Sequence, residues 1–322
     1  MATDASRLVL HALTLSANGV DLFVETIGHG GDPAVLLIMG NSAPGLLWPD
    51  DFCRGLAERG FFVIRFDQRD TGLSSYVNYD LAPYTLDDLV KDALGILDGL
   101  KIDRAHVVGL SQGGVLAYRL ALSAPSRVES LAVLMSSPDL RPKNDAFTGA
   151  PVRAGELPRP AADYVAAVIA LNAAVPADEE GVAVQFVENF RLAKGAASPF
   201  DEGDWLAMGR AVASRPRLRR DGLSTRMANH SHHSKAQMAT PPLTAEDLHA
   251  LRLPVLIIHG AGDPIFPLPH AQWAVAQIVG ARLRILDGMG HALDRAFFAP
   301  ITEALVPFFE SAISQIGAGT LD

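Results

Sequence analysis

Six short runs rich in valine, isoleucine and leucine, set apart by stretches with helical periodicity, limit what this chain can fold into. They are AVLLIMG from Ala34, FFVIRFD from Phe61, AHVVGL from Ala105, SLAVLMSS from Ser130, PVLIIHG from Pro254 and ARLRILDG from Ala281. Most are continuously apolar rather than alternating, the pattern of strands covered on both faces. Between them lie DDFCRGLAERG, LDDLVKDALGILDGL, GGVLAYRLALSAP, PHAQWAVAQIVG and FFAPITEALVPFFESAI, each with apolar residues at helical spacing. Such alternation predicts an α/β fold with a mostly parallel central sheet and right-handed crossovers. Ahead of it, RLVLHALTL and VDLFVETIG meet across Asn18-Gly19, a hairpin signal. The sheet is therefore expected to begin with an antiparallel pair.

The rhythm stops after Ser137 and resumes at Pro254. The intervening chain reads as proline-punctuated helices: PAADYVAAVIALNAAV, EEGVAVQFVENFRLAKG and DWLAMGRAVASR. The expected organisation is one core from residues 1–137 and 252–322, with a helical cap inserted at 138–251 over the strand ends.

Composition narrows the function. The 322 residues are 49% hydrophobic and 20% charged, enough to bury a sizeable core. A net charge of −9 argues against a nucleic-acid partner, which needs a concentrated basic footprint. The single cysteine, Cys53, rules out an intrachain disulfide and a cysteine-built metal site, which suits a cytoplasmic protein. The N-terminal MATDASRLVLHALTL lacks the features of a signal peptide, and YVAAVIALNAAVPA is too short to span a bilayer. No membrane partner is expected, and the molecule is expected to be a monomer or homodimer.

The chemistry starts at Ser111, in GLSQGG, between a strand run and a helix run. In an open α/β sheet, ligands bind at the carboxyl ends of the strands. In G-x-S-x-G, Gly109 and Gly113 permit a sharp turn that lifts the serine hydroxyl clear of the backbone, with a helix N-terminus beside it. A serine hydroxyl needs a base, and the base needs an orienting acid. LIIHGAGDPIFP places Asp263 just after one strand, and LDGMGHAL places His291 just after the next. Asp139 in SSPDL is a rival acid. His259, His270 and His106 are rival bases, with core or cap roles sufficient for the last two. Two backbone N–H groups should stabilise the oxyanion: that of Gln112, next to the nucleophile, and that of Asn41, after Gly40. This chemistry needs no metal or organic cofactor.

Together these motifs resemble the α/β-hydrolase superfamily over essentially the whole chain, and FDQRDTGLS resembles its D-x-R-G-x-G-x-S loop with Asp70 in place of the usual glycine. MGNSAPGLLWPDDF, RFDQRDTGLSS, AHVVGLSQGG, GMGHAL and FRLAKGAASPFDEGDW look like the aclacinomycin/rhodomycin-type methylesterases of anthracycline biosynthesis. The resemblance implies removal of a methyl ester from a polycyclic polyketide. Gln112 stands where that subfamily usually has methionine, and a side chain there can face the pocket. The expected activity is hydrolysis of a small-molecule carboxylic ester through an acyl-enzyme. A carbon–carbon hydrolase, lactonase or lyase on the same triad is the alternative, and a non-catalytic ligand receptor a further one.

Other signals are read as structural. NHSHHS carries His230, His232 and His233, which lack the spacing of a metal site and read as a polar cap loop. RPRLRR, residues 215–220, reads as a solvated cap face. Met39, Trp48 and Phe266 read as pocket lining or core, and GAGTLD as a frayed tail.

Overall fold

In the computed structural model, which describes residues 8–215 and 225–319 and the side chains of 8–215 and 232–314, the hairpin forms across Asn18-Gly19. Strand β1 (His11–Ala17) pairs antiparallel with β2 (Val20–Ile27), and both turn residues have positive φ, 48° and 77°. That geometry matches the right-handed twist of the flanking strands. Six more strands follow: β3 (Ala34–Ile38), β4 (Phe62–Phe66), β5 (Ala105–Leu110), β6 (Val128–Leu134), β7 (Val255–Gly260) and β8 (Arg282–Leu286). They form one sheet in the order β1-β2-β4-β3-β5-β6-β7-β8. The pairs from β4 onward are parallel, while β2 runs antiparallel to both its neighbours.

The strands distribute their side chains to two cores with period two. Leu36 and Ile38 of β3, Val107 of β5 and Leu131 and Val133 of β6 face one side, with α2 (Leu86–Gly99), α3 (Gln112–Ser123) and α10 (Pro269–Gln277). Val35, Leu37, Val108, Ala132 and Leu134 face the other, with α1 (Asp50–Ala57) and α11 (Phe298–Gly319). Trp48 packs in this second core, and its ring stacks on Phe52 of α1 with centroids 5.4 Å apart. Strand β8 departs from the expected double coverage. It closes the sheet edge with Arg282 and Arg284 exposed, as an edge strand tolerates.

By length and composition, the segment Arg295–Ser314 is apolar enough to cross a bilayer. Its Ile301, Leu305, Phe308 and Phe309 are buried in the second core, which accounts for the apolarity without a membrane. Helix α11 also continues to Gly319, so the first half of GAGTLD is helical rather than frayed; residues 320–322 lie outside the described residues.

Between β6 and β7 the regular elements of the described chain are helices: α4 (Arg141–Thr148), α5 (Ala162–Ala173), α6 (Glu179–Ala193), α7 (Glu202–Ser214), α8 (Thr225–Ala239) and α9 (Ala245–His249). Helices α6 and α7 share an aromatic cluster, in which Phe190 and Trp205 stack at 4.4 Å. Trp205 Nε1–H donates to Asp294 Oδ2 at 3.0 Å, tying α7 to the loop after β8. The later helices behave differently. Ala236, Leu243, Leu248 and Leu251 belong to the same core cluster as α2 and α3. Sheet-side packing thus extends back to Ala236, well before residue 252.

Helix α8 corrects the polar-loop reading of NHSHHS. His233 is fully buried, its Nδ1 accepting from the Ser42 N–H at 3.0 Å and its Nε2–H donating to the Arg69 carbonyl at 2.9 Å. His232 Nδ1 lies 3.0 Å from Asp70 Oδ2. The His230 side chain lies outside the described residues, and no metal-binding cluster occurs among the described ones. Arg215 likewise is no solvated residue. Its Nε–H donates to the buried Asp67 carboxylate at 2.9 Å, and the guanidinium lies over the Phe23 ring. The remainder of RPRLRR, 216–220, lies outside the described residues.

Candidate active site

Ser111 sits between the end of β5 and the first residue of α3, with φ 56° and ψ −123°. A non-glycine residue there stores on the order of 1–3 kcal/mol of backbone strain. The neighbours explain how the turn closes. A Cβ on Gly109 would sit 2.1 Å from the Gly113 carbonyl oxygen, and one on Gly113 would sit 2.1 Å from that of Ile38. Only glycine lets strand, turn and helix approach so closely. The turn is anchored by the Ser111 N–H, which donates to the Leu134 carbonyl at 2.9 Å, and by the Ser136 hydroxyl, which donates to the Ser111 carbonyl at 2.5 Å.

The loops after β7 and β8 bring Asp263 and His291 to this serine. His291 Nε2 lies 3.0 Å from Ser111 Oγ, and His291 Nδ1 lies 2.8 Å from Asp263 Oδ2. With a carboxylate at Nδ1, the ring carries its proton there, which leaves Nε2 as the acceptor facing the hydroxyl. The other oxygen, Asp263 Oδ1, accepts from the N–H groups of Ile265 and Phe266 at 2.8 and 2.9 Å. The carboxylate is therefore held at both ends. Phe266 covers the imidazole, with ring centroids 5.5 Å apart.

Burial works to raise the Asp263 carboxyl. The His291 ring, its hydrogen bond, the His259 ring and the Phe266 N–H together outweigh burial and hold the acid below its ordinary value. Asp263 is thus an anion at neutral pH, able to stabilise an imidazolium at His291.

The rival residues have other partners. Asp139 accepts from the main-chain N–H of Arg141 and from its guanidinium at both carboxylate oxygens. His259 Nε2–H donates to the Phe266 carbonyl at 2.7 Å, and burial depresses its basicity. His270 lies between Ser137 and the Pro158 carbonyl, and His106 pairs with Ser130 and stacks on Phe309 at 4.5 Å.

Asn41, in the loop after β3, and Gln112, the first residue of α3, flank the serine. The Met39–Gly40 turn lies against it: a Cβ on Gly40 would sit 3.1 Å from Ser111 Cβ. The main-chain N–H groups of Asn41 and Gln112 donate to no described residue, so both remain open to an oxyanion. The adjoining turn is braced from below and above. Gln68 Nε2 donates to the Met39 carbonyl at 2.8 Å, and the Ser42 N–H, at a positive φ of 55°, donates to His233.

The sequence pattern of the alpha/beta hydrolase fold matches residues 33–293. This chain belongs to that family. The hydrolase is 36% identical over 302 residues to a rhodomycin D methylesterase of Streptomyces sp. (strain C5), covering 90% of this chain and 95% of that one. It is 35% identical over 297 residues to the rhodomycin D methylesterase of Streptomyces peucetius, covering 89% and 94%. Among solved structures, the 2-hydroxy-6-oxo-6-phenylhexa-2,4-dienoate hydrolase from Rhodococcus sp. strain RHA1 superposes with a TM-score of 0.71 at 22% identity, covering 94% of this chain and all of that one. An esterase from Exiguobacterium antarcticum gives 0.69 at 20% identity, covering 93% and 100%. At those identities the structural likeness establishes the fold alone.

Three residues of this hydrolase's site escape a reading by motif. Gln237 and His233 come from α8, and Lys143 from α4. Gln237 Nε2–H donates to Asn41 Oδ1 at 2.9 Å and also to Gln112 Oε1, while its own Oε1 accepts from Lys143 Nζ at 3.0 Å. No motif in the sequence marks them, because each acts through partners far away along the chain.

Proposed function

We propose that this protein is a serine carboxylester hydrolase that works through an acyl-enzyme, with Ser111 as nucleophile, His291 as base and Asp263 as orienting acid. One observation carries the reading: a continuous hydrogen-bonded chain from Ser111 Oγ through His291 to Asp263, at 3.0 and 2.8 Å. Kinship with two methylesterases over about nine-tenths of the chain supports ester hydrolysis as its use.

In this reading His291 Nε2 takes the serine proton as Oγ attacks the ester carbonyl. The developing oxyanion is bound by the N–H groups of Asn41 and Gln112. His291 then returns the proton to the leaving alkoxide, and an alcohol departs. Water enters, gives a proton to His291 and attacks the acyl carbonyl, releasing the acid and restoring Ser111. No step draws on a metal or cofactor. The helices between β6 and β7 act as a cap that selects the substrate; the relatives' names point to a methyl ester, and the motif resemblance to a polycyclic one.

The test is hydrolysis of p-nitrophenyl esters, acetyl through decanoyl, by wild type and Ser111→Ala. Turnover that vanishes in the variant is expected. Turnover retained at the wild-type rate would remove Ser111 from the chemistry. No turnover by either, on these esters or on polycyclic methyl esters, would overturn the esterase reading.

A further inference from the structure

The ammonium of Lys143 fixes the polarity of a buried amide chain that ends next to the nucleophile. An ammonium only donates hydrogen bonds. Lys143 Nζ lies 3.0 Å from one end of the Gln237 amide, so that end is the oxygen. The Gln237 NH2 group therefore faces Asn41 and Gln112. Both must present their side-chain oxygens to it, and the Gln112 NH2 group is turned away. Gln112 is 1% exposed, and its Nε2 has no hydrogen-bond partner among the described residues.

A buried amide donor without a partner forfeits the hydrogen bonds it would make to water. The chain could relieve that cost by rotating the amides, but Lys143 opposes the rotation, because it would set two groups of donors against each other. Among the described residues no carboxylate lies within ion-pair distance of Lys143 to draw it away. Burial lowers its pKa to about 8, so at neutral pH it is still mostly a cation. The arrangement holds a buried, unpaired donor pair in the residue that directly follows Ser111.

We propose that the Lys143–Gln237–Gln112 chain presents the Gln112 side-chain NH2 to a hydrogen-bond-accepting oxygen that the substrate carries close to its scissile ester carbonyl. This rests on the esterase reading and adds a substrate class to it: oxygenated esters, favoured over hydrocarbon esters of equal size. A methionine at position 112 would offer no such donor.

The probes are two pairs of methyl esters, each differing by one ether oxygen for one methylene: methyl methoxyacetate against methyl butanoate, and methyl 3-methoxypropanoate against methyl pentanoate. The readout is the oxygen-to-methylene ratio of kcat/KM, compared between enzymes so that the intrinsic reactivity of each ester cancels. One neutral hydrogen bond predicts a ratio about 3- to 10-fold higher in wild type than in Gln112→Met for at least one pair. Lys143→Met, which frees the amides to rotate, should lower the ratio in the same direction. Equal ratios in all three enzymes would overturn the proposal. So would wild-type turnover of p-nitrophenyl esters with none of the four methyl esters cleaved, an outcome that leaves the esterase reading standing. Failure on both sets of esters would overturn the two together.

Discussion

The main-chain N–H of His291 donates to the carbonyl oxygen of Ala193, the last residue of α6, at 2.7 Å. The base is thus positioned by the helices between β6 and β7 as well as by Asp263. The contact is close because the preceding residue is glycine. A Cβ on Gly290 would sit 1.9 Å from the Lys194 carbonyl oxygen, a backbone atom that cannot step aside alone.

Gly290→Ala should therefore displace the His291 loop or the end of α6. A shift of about 1 Å at a catalytic base costs on the order of 100-fold in turnover. The expected outcome is a kcat lower by about that factor, with a far-UV circular dichroism spectrum like that of wild type. Wild-type kcat in the variant would show that the loop absorbs the side chain without moving the ring.

Asp263 and Asp139 are separated by what already holds them. Asp139 is engaged by Arg141, whereas Asp263 Oδ2 is within hydrogen-bond distance of His291. Asp263→Asn would place an amide at Nδ1 and favour the wrong tautomer, a change that costs about 10,000-fold in kcat in a serine protease triad. Asp139→Asn should stay within about 3-fold of wild type, the scale of a change away from the reacting atoms. The paired measurement is kcat on p-nitrophenyl acetate at pH 7.5, and the reverse order of losses would transfer the acid role to Asp139.

The strands and the Ser111, Asp263 and His291 positions were legible because each is marked locally: a run of β-branched residues, glycines at fixed offsets, a turn after a strand. The supports were not. Asp70 was visible only as a departure from a glycine-rich loop. It keeps the positive φ that glycine would supply, 63°, and its carboxylate accepts from the Val77 N–H and the Tyr84 hydroxyl while facing His232, 162 residues away. Helix α8 was missed for a related reason. Its histidines, serines and asparagine show no apolar stripe, and the helix is held by hydrogen bonds to distant backbone, such as those of His233, that no local pattern encodes.

Arg215 shows what such a distant contact is worth. Its guanidinium reaches the Asp67 carboxylate at 2.9 Å and Glu25 at 3.5 Å, and all three side chains are nearly shielded from water. Asp67 also accepts from the N–H groups of Gly45 and Leu73, which keeps it oriented. Arg215→Met would leave a buried carboxylate without its cation, a loss of roughly 3–5 kcal/mol in comparable buried pairs. Urea unfolding at pH 7 should report destabilisation of that order, and a change below about 1 kcal/mol would show that the two N–H donors suffice.

Buried histidines should contribute to the loss of stability in acid, His106 and His233 among them. Burial lowers the pKa of His106 and of His233 from 6.5 to about 4. The folded state therefore binds fewer protons than the unfolded chain between those values, and stability falls as pH falls through the window. Above pH 6.5 the contribution is complete. By pH 4.5 each histidine should have cost on the order of 2 kcal/mol, because each pH unit crossed in the window costs up to about 1.4 kcal/mol. Replacing His106 by Asn removes one titrating group, whatever it does to packing against Phe309. The slope of unfolding free energy between pH 6.5 and 4.5 should then become shallower than in wild type, even where the variant is less stable at every pH. An unchanged slope would mean that His106 is protonated as readily in the folded protein as in the unfolded chain.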